Sequence, residues 1–192
     1  MRKKSGFTVL EVLIVITIMA VMMGFGIPYI LGWLPNYRLR SAARDVHSNL
    51  QLARITAVKE HVNCTVSFTK TGGVIDGYII YLDADNSRTL DTANETMVKP
   101  PVTFPGNPNY AESPNYNDVN FDNGNPGDTN GSPDGVNFND NGDGQPSVTF
   151  LPNGLILIGG GAGAGNGTVY LRNNKGRTKT VVVNRSGRIR TD

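Results

Sequence analysis

The sequence contains few of the residues from which enzyme active sites are usually built. In 192 residues there is one cysteine, Cys64, and there are two histidines, His47 and His61. A single cysteine cannot form a disulfide within the chain, so the fold must be held together by its core. The sequence has no HExxH or GxSxG motif and no recognisable set of nucleophile, base and orienting residue. We therefore predict that the protein is not an enzyme.

Charged residues are missing from one long segment near the N-terminus. Between Val12 and Leu34 there is no Asp, Glu, Lys, Arg or His. At about 1.5 Å of rise per helical residue, this apolar run is long enough to cross a bilayer. Arg2, Lys3 and Lys4 precede it, and clustered positive charges stay on the cytoplasmic side. We expect a single-pass anchor with a cytoplasmic N-terminus and the rest of the chain across the membrane.

The boundary between the basic leader and the apolar run carries a motif. The run Gly6-Phe7-Thr8, followed by Glu11 and an apolar helix, resembles the processing signature of type IV prepilins and type II secretion pseudopilins. The resemblance implies that a prepilin peptidase removes residues 1–6 by cutting between Gly6 and Phe7, and that it methylates the new amino terminus on Phe7.

The same resemblance gives roles to two residues of the helix. Glu11 would pair with the N-terminal ammonium of a neighbouring subunit in a filament, and Pro28 would loosen the helix there. A charge inside a membrane costs about 2.5–3.5 kcal/mol, so Glu11 is a functional candidate on physical grounds as well. A buried ammonium and a buried carboxylate are each costly alone and tolerable together.

Two other interpretations of the N-terminal segment stay open. It could be an ordinary signal anchor. It could also be a cleaved secretory signal, because Gly24-Phe25-Gly26 is a small-x-small triplet after an apolar run. Neither accounts for a glycine–phenylalanine boundary with a glutamate at the fifth position of the new chain.

A helical pattern resumes past Pro35. Apolar residues recur at alternating spacings of four and three, which places them on one face of a helix. The stripe consists of Leu39, Ala43, Val46, Leu50, Ala53 and Ala57. We expect residues 7–34 to form a transmembrane and filament helix and residues 35–61 to form its amphipathic continuation.

Short strand-like runs follow, and they predict a β-rich head over residues 62–192. Val62–Thr69 alternates apolar and polar residues, Gly77–Leu82 is more apolar, and prolines demote Met97–Phe104 to an edge strand. Four further strand-like runs lie between residue 147 and the C-terminus. The predicted fold class is α+β, a pilin-like long N-terminal helix packed on a C-terminal antiparallel β-sheet.

Three pieces of the head resemble the GspH/FimT family, a branch of the minor pilins and pseudopilins. They are the helix end Leu50–Lys59, the Phe-x-x-x-Gly piece Phe150–Gly154, and the valine run that ends in Gly187-Arg188. The resemblance covers both ends of the chain. It leaves out residues 105–147, in which Asn, Gly, Asp and Pro predominate. For that segment we predict a long surface loop or a partly disordered insertion.

An acidic stretch from Asp83 to Asp91 places oxygen-bearing side chains at alternating positions, as calcium loops do. The candidate ligands are Asp83, Asp85 and Asp91. The stretch lacks the central glycine of such loops, and Glu95 comes one place later than a bidentate glutamate should. A turn rich in Asp and Asn without any metal remains the alternative. We predict no other cofactor.

Basic residues gather near the C-terminus, and Arg185, Arg188 and Arg190 are the candidates for DNA contact. Clustered cations bind nucleic acid by releasing counterions, and the Gly-Arg-x-Arg ending resembles that of FimT-like pilins. The alternative is a solvated sheet edge, where basic side chains discourage strand addition.

The family resemblance implies a structural subunit. The first hypothesis is a minor pseudopilin of the type II secretion system in the bacterial inner membrane, with its head in the periplasm. The second is a type IV minor pilin that takes part in pilus assembly or DNA uptake, and the third is a membrane-anchored periplasmic binding module. The implied partners are other pilins or pseudopilins, the prepilin peptidase and the inner-membrane assembly platform.

Overall fold

The structure is a computed structural model, and it describes residues 6–91, 95–104, 118–122, 135–140, 143–158 and 166–192. The leader before Gly6 and the side chain of Pro28 lie outside the described set. The chain divides into two compact units, Met1–Pro35 and Asn36–Asp192. Within the described residues, no helix combines the length and the apolarity needed to cross a membrane.

A single long helix, α1, extends from Val9 to Glu60. Thr8 caps its N-terminus, because the backbone N–H of Glu11 lies 3.2 Å from the Thr8 hydroxyl and 3.1 Å from the Thr8 carbonyl oxygen. Glu11 therefore sits in the first turn, where the helix dipole favours an acid. At the other end, His61 adopts a left-handed backbone with φ of 56°, which terminates the helix.

Among the described side chains of the first unit, the exposed residues of α1 are mostly apolar. They include Val9, Leu10, Leu13, Ile16, Met22 and Phe25, all at least 60% exposed. In the second unit, the helix shows the predicted stripe, and all six of its members are buried. The first stretch thus presents apolar surface all round, whereas the second buries one face in the core of the head.

Two antiparallel sheets form the head among the described residues. Their strands are β1 (Asn63–Thr71), β2 (Val74–Asp83), β3 (Thr96–Thr103), β4 (Val119–Phe121), β5 (Ser147–Phe150), β6 (Ile156–Ile158), β7 (Gly167–Asn173), β8 (Thr178–Val183) and β9 (Ile189–Thr191). The strand orders are β3-β2-β1-β5-β6 and β4-β7-β8-β9. This arrangement confirms the predicted α+β class, and β3 is an edge strand as its prolines predicted.

One core joins the helix stripe to both sheets. A buried polar side chain beside this core, Asn49, is hydrogen-bonded on both sides of its amide, as is usual for buried polar groups. Asn49 of α1 donates to the hydroxyl of Tyr78 on β2 at 2.6 Å and accepts from the ammonium of Lys99 on β3 at 3.2 Å. This amide therefore fixes the helix against two neighbouring strands.

The surface-loop prediction is wrong for parts of residues 105–147. Phe121 lies in β4, which pairs with β7, and Val136 forms an isolated bridge with Val169 of β7. Phe138 is fully buried and stacks on Phe68 of β1 at a centroid distance of 5.4 Å. These segments alternate apolar and polar residues over only three positions, and the surrounding composition obscured them. The aromatic residues at 110 and 116 lie outside the described residues.

Candidate functional site

The processing motif lies ahead of the helix. Gly6, Phe7 and Thr8 precede the first helical residue, and the Phe7 side chain is 83% exposed. A peptide bond outside a hydrogen-bonded element is accessible to a peptidase. The geometry of Gly6 and Phe7 is thus compatible with the predicted cleavage, which itself stays a prediction.

Glu11 has an exposed side chain one turn into the helix. The residues around it on the same stretch are apolar and exposed, so the carboxylate projects from an apolar surface. A carboxylate in that setting needs a positive partner once the surface is covered. The structure therefore leaves the predicted pairing with a neighbouring amino terminus open to test.

Three carboxylates meet at one end of the first sheet. Asp83 is the last residue of β2, Asp85 follows it, and Glu95 directly precedes β3. Each contributes one oxygen to a group in which all such atoms lie within 4.8 Å of one another. Of the predicted calcium ligands, the structure brings Asp83 and Asp85 together and places Glu95, not Asp91, beside them.

The register of the sheet explains why Glu95 joins the group. Leu82 of β2 pairs with Thr96 of β3 in the antiparallel ladder, so the next facing positions are Asp83 and Glu95. Counting positions in a continuous loop pointed to Asp91 instead. The hairpin pairing between β2 and β3 was the signal that could have identified Glu95.

The buried oxygens of this acid group lack partners. Asp83 is fully buried, and neither of its carboxylate oxygens has a well-aligned hydrogen bond from a described residue. The nearby backbone groups of Ser87 and Arg88 only partly offset the effect of burial on the pKa of this carboxyl. The Oε1 atom of Glu95 is likewise buried and without a partner, whereas its Oε2 accepts from the backbone N–H of Asp91 at 2.9 Å. Leaving charged oxygens buried and unpaired is costly, so these atoms require an explanation.

Burial, neighbouring negative charges and hydrogen bonds shift the pKa values of these three carboxyl groups. Burial raises the pKa of Asp83. Burial also raises the pKa of Glu95, and the acids Asp83, Asp85 and Asp91 add to the effect. The backbone N–H of Ser87 donates to Asp85 at 2.9 Å and lowers the pKa of that carboxyl. The charges that act on Glu95 most strongly are thus all negative.

The thiol of Cys64 lies next to this acid group in the sheet, since it pairs with Leu82. Burial, followed by the charge of Asp83, raises its pKa to about 12. A thiol that stays protonated at neutral pH is a poor nucleophile and a poor metal ligand. Cys64 is therefore a core residue.

The candidate DNA-binding residues lie around the turn between β8 and β9. Arg188 and Arg190 line a depression of about 300 Å³ together with Asn166, Val182 and Asn184. Arg185 is exposed in the same turn but does not line this depression. The structure thus brings together two of the three predicted arginines.

One of these two arginines has an acidic neighbour. Arg190 pairs with Asp192 at 2.8 Å, and both side chains are more than half exposed. Such a surface ion pair is weak and can give way to another anion. The Asn184 side chain orders the turn by accepting from the backbone N–H of Arg188 at 2.9 Å.

Two glycines of the family-like pieces meet at one arginine of the helix, a contact that sequence reasoning missed. A Cβ atom on Gly187 would collide with the carbonyl oxygen of Gly154 and come within 3.0 Å of Arg54 Nε. A Cβ atom on Gly154 would lie 3.4 Å from Arg54 Nη2. Both glycines have left-handed backbones, with φ of 78° at Gly154 and 73° at Gly187. The helix therefore supports the turn that carries the C-terminal arginines through Arg54.

Two protein-family models match the chain. The model described as the type II transport protein GspH matches residues 42–187. The model described as the prokaryotic N-terminal methylation motif matches residues 1–27. Residues 28–41 of the helix separate the two matches, which together cover most of the chain.

Among solved structures, the chain is similar to two crystal forms of the type IV minor pilin FimU of Pseudomonas aeruginosa. In one form the match covers 80% of this chain and 92% of that chain, with 16% sequence identity and a TM-score of 0.45. In the other it covers 82% and 90%, with the same identity and TM-score. No curated protein sequence matches the chain at a significant level.

Proposed function

Because the chain belongs to the family of the type II transport protein GspH, we propose that it is a minor subunit of a type II secretion pseudopilus, the periplasmic filament used to export folded proteins. The observation that carries the proposal is the presence of a GspH domain and an N-terminal methylation motif on one chain. The motif supports processing by a prepilin peptidase, and the domain supports a role in secretion.

The exposed surface of the helix supports a role in assembly. In the first unit, apolar side chains project from α1 in all directions. Burying one such side chain contributes about 1.5–3 kcal/mol, and exposed apolar patches mark surfaces that bind a partner or a membrane. A helix of this kind is suited to the membrane before assembly and to the centre of a filament afterwards. Its proposed partners are other pseudopilins and the inner-membrane assembly platform.

The proposed location is the bacterial inner membrane, crossed once. The uncharged run Val12–Leu34 of the sequence supports this crossing, and some of its side chains lie outside the set that the structure describes. The basic leader supports a cytoplasmic N-terminus before cleavage, which leaves the head, residues 62–192, in the periplasm. In this proposal the chain is a structural subunit and not an enzyme. The protonated, buried thiol of Cys64 is consistent with that role.

One observation favours a second candidate function. Arg188 and Arg190 share a depression with three neighbouring residues, and cations arranged in this way can contact the phosphates of DNA. A type IV minor pilin that binds DNA during uptake would use this surface, with Arg185 at its margin. Such binding should weaken steeply as salt increases.

The two candidates are separated by deleting the gene for this chain and comparing the mutant with its parent. Loss of folded exoproteins from the medium, with pili and DNA uptake intact, is the result expected for a secretion pseudopilin. Re-expression of the wild-type chain should restore secretion and serves as the control. An unchanged medium together with lost pili or transformation would contradict the secretion role and support the second candidate.

DNA binding is tested on the purified chain by fluorescence polarisation at low salt. The double variant Arg188→Ala with Arg190→Ala should bind more weakly if the depression is used. Arg177→Ala with Lys179→Ala removes the same charge at the start of β8, where Arg177 directly precedes the strand, and is the matched control. Equal binding by both variants would remove the DNA hypothesis.

A further inference from the structure

We propose that Asp83, Asp85 and Glu95 form a calcium site that joins the end of β2 to the start of β3. The site is distinct from the surfaces used for processing and filament assembly. It follows from the geometry of the head and holds for a secretion subunit and for a pilus subunit alike. Its role is to hold the β2–β3 connection in one conformation.

The first argument is the set of unpartnered oxygens. Asp83 is fully buried, and the backbone groups of Ser87 and Arg88 lie near it without forming a well-aligned hydrogen bond to either of its oxygens. Glu95 contributes a third buried oxygen without a partner. All three belong to Asp83 and Glu95, the residues directly beyond the Leu82–Thr96 pair of the ladder. A cation between them would satisfy these oxygens and offset their mutual repulsion.

The second argument is the kind of ligand. The group offers carboxylate oxygens only, within 4.8 Å of one another, and includes no imidazole or thiolate. Zinc prefers nitrogen and sulfur ligands, whereas calcium takes six to eight oxygens at about 2.3–2.6 Å in adaptable geometry. Asp83 and Glu95 can each bind with one or two oxygens, and water completes the coordination. Magnesium is smaller and demands a near-ideal octahedron, which makes calcium the better fit.

The third argument concerns the loop after β2. The Ser87 N–H donates to Asp85, and the Asn63 side-chain amide donates to Asn86, so the loop is folded back on the sheet. The hydroxyl of Tyr81 donates to the Arg88 carbonyl at 2.8 Å. These bonds hold Asp85 near Asp83, and a cation would add Glu95 to the same arrangement. Calcium would thereby tie together both sides of the β2–β3 connection.

A different arrangement could also relieve the repulsion, namely one proton shared between Asp83 and Asp85. The two arrangements make opposite predictions for substitution. If a proton is shared, Asp83→Asn replaces that proton with an amide N–H. Calcium should then bind neither the parent nor the variant and should change the stability of neither. If calcium is bound, the same substitution removes a ligand charge and weakens binding.

The test is isothermal titration of CaCl₂ into the full-length chain, purified in detergent and freed of metal with a chelator. We expect one calcium per chain with a dissociation constant of about 10⁻⁴ to 10⁻³ M, typical of extracellular calcium modules. Calcium should also raise the midpoint of thermal unfolding, because it binds the folded state. Magnesium at the same concentration should give a smaller shift.

Asp83→Asn should weaken calcium binding by about tenfold or more and abolish the thermal shift. Glu95→Gln is the second variant and should do the same, which keeps the test decisive if Asp83→Asn does not fold. The matched control is Asp76→Asn at the other end of β2, about 20 Å away, where the carboxylate accepts from the Thr69 hydroxyl. Asp76→Asn should bind calcium like the parent.

Three results would overturn the proposal. The first is no heat of binding and no thermal shift at about 10 mM calcium, well above the expected dissociation constant. The second is equal loss of affinity in Asp83→Asn and Asp76→Asn. The third is a parent indifferent to calcium together with a more stable Asp83→Asn, which would identify the shared proton instead.

Discussion

Two stretches of α1 differ in the pattern of their apolar side chains and in how far these side chains are covered. From Val9 to Phe25 the large apolar side chains are exposed, whereas from Leu39 to Ala57 six apolar residues at helical spacing are buried. An apolar surface on every side needs partners all round, while a single stripe needs only one sheet. One helix therefore contributes a buried stripe to the fold of the head and, in the proposed function, an apolar surface to assembly.

The largest expected effect on stability comes from the buried stripe. Leu50→Ala should lower the free energy of unfolding by about 2–5 kcal/mol, because Leu50 is 1% exposed and its loss leaves a cavity. The measurement is urea unfolding of the full chain in detergent, followed by near-ultraviolet circular dichroism. Leu52→Ala, at a position 38% exposed two residues along, is the matched control. Equal losses in both variants would contradict the assigned stripe.

A smaller loss is expected from the polar contact between the helix and the sheet. Asn49→Ala should cost about 1–3 kcal/mol, because it removes a hydrogen bond to the buried Tyr78 hydroxyl and one from Lys99. Ser48→Ala changes the exposed neighbour and should stay within about 0.5 kcal/mol of the parent in the same urea experiment. A neutral Asn49→Ala would show that this amide does not hold the helix on the sheet.

The buried stripe could be predicted from the sequence because a helical repeat is local. The edge position of β3 also followed from local residues, its two prolines. The strand β4 could not be predicted, since Val119 and Phe121 are stabilised by pairing with β7, some fifty residues later. Gly167 shows the same limit, because a Cβ atom there would collide with the ring of Phe138.

The candidate sites likewise differ in whether the local sequence is enough to predict them. The processing motif around Gly6 and Phe7 is contiguous and can be recognised from the sequence. The acid group depends on strand register. The spacing in the sequence therefore indicated Asp83, Asp85 and Asp91, whereas the structure groups Glu95 with Asp83 and Asp85. The contact of Arg54 with Gly154 and Gly187 joins three distant segments and has no local signal.

Glu11, the acidic residue in the exposed stretch of α1, provides the next test of the comparison. In Glu11→Ala, cleavage at Gly6 should persist while incorporation into filaments falls, because only the pairing charge is removed. The measurement is immunoblotting of processed chain in total membranes and in sheared filaments. Glu60→Gln, an exposed acid at the other end of the same helix, is the control for loss of charge. Normal incorporation of Glu11→Ala would contradict the role assigned to this carboxylate.

The smallest expected change in stability belongs to Leu13→Ala, the counterpart of Leu50→Ala in the exposed stretch. Leu13 is 60% exposed, so truncation leaves no cavity and should change the urea midpoint of the head by an amount within error. Incorporation into filaments should nevertheless fall, because the removed methyl groups would be buried against neighbouring subunits. Leu13→Ile keeps the apolar volume and should assemble like the parent. If Leu13→Ala instead lowered the unfolding midpoint and assembled normally, the contrast between the two stretches of α1 would be wrong.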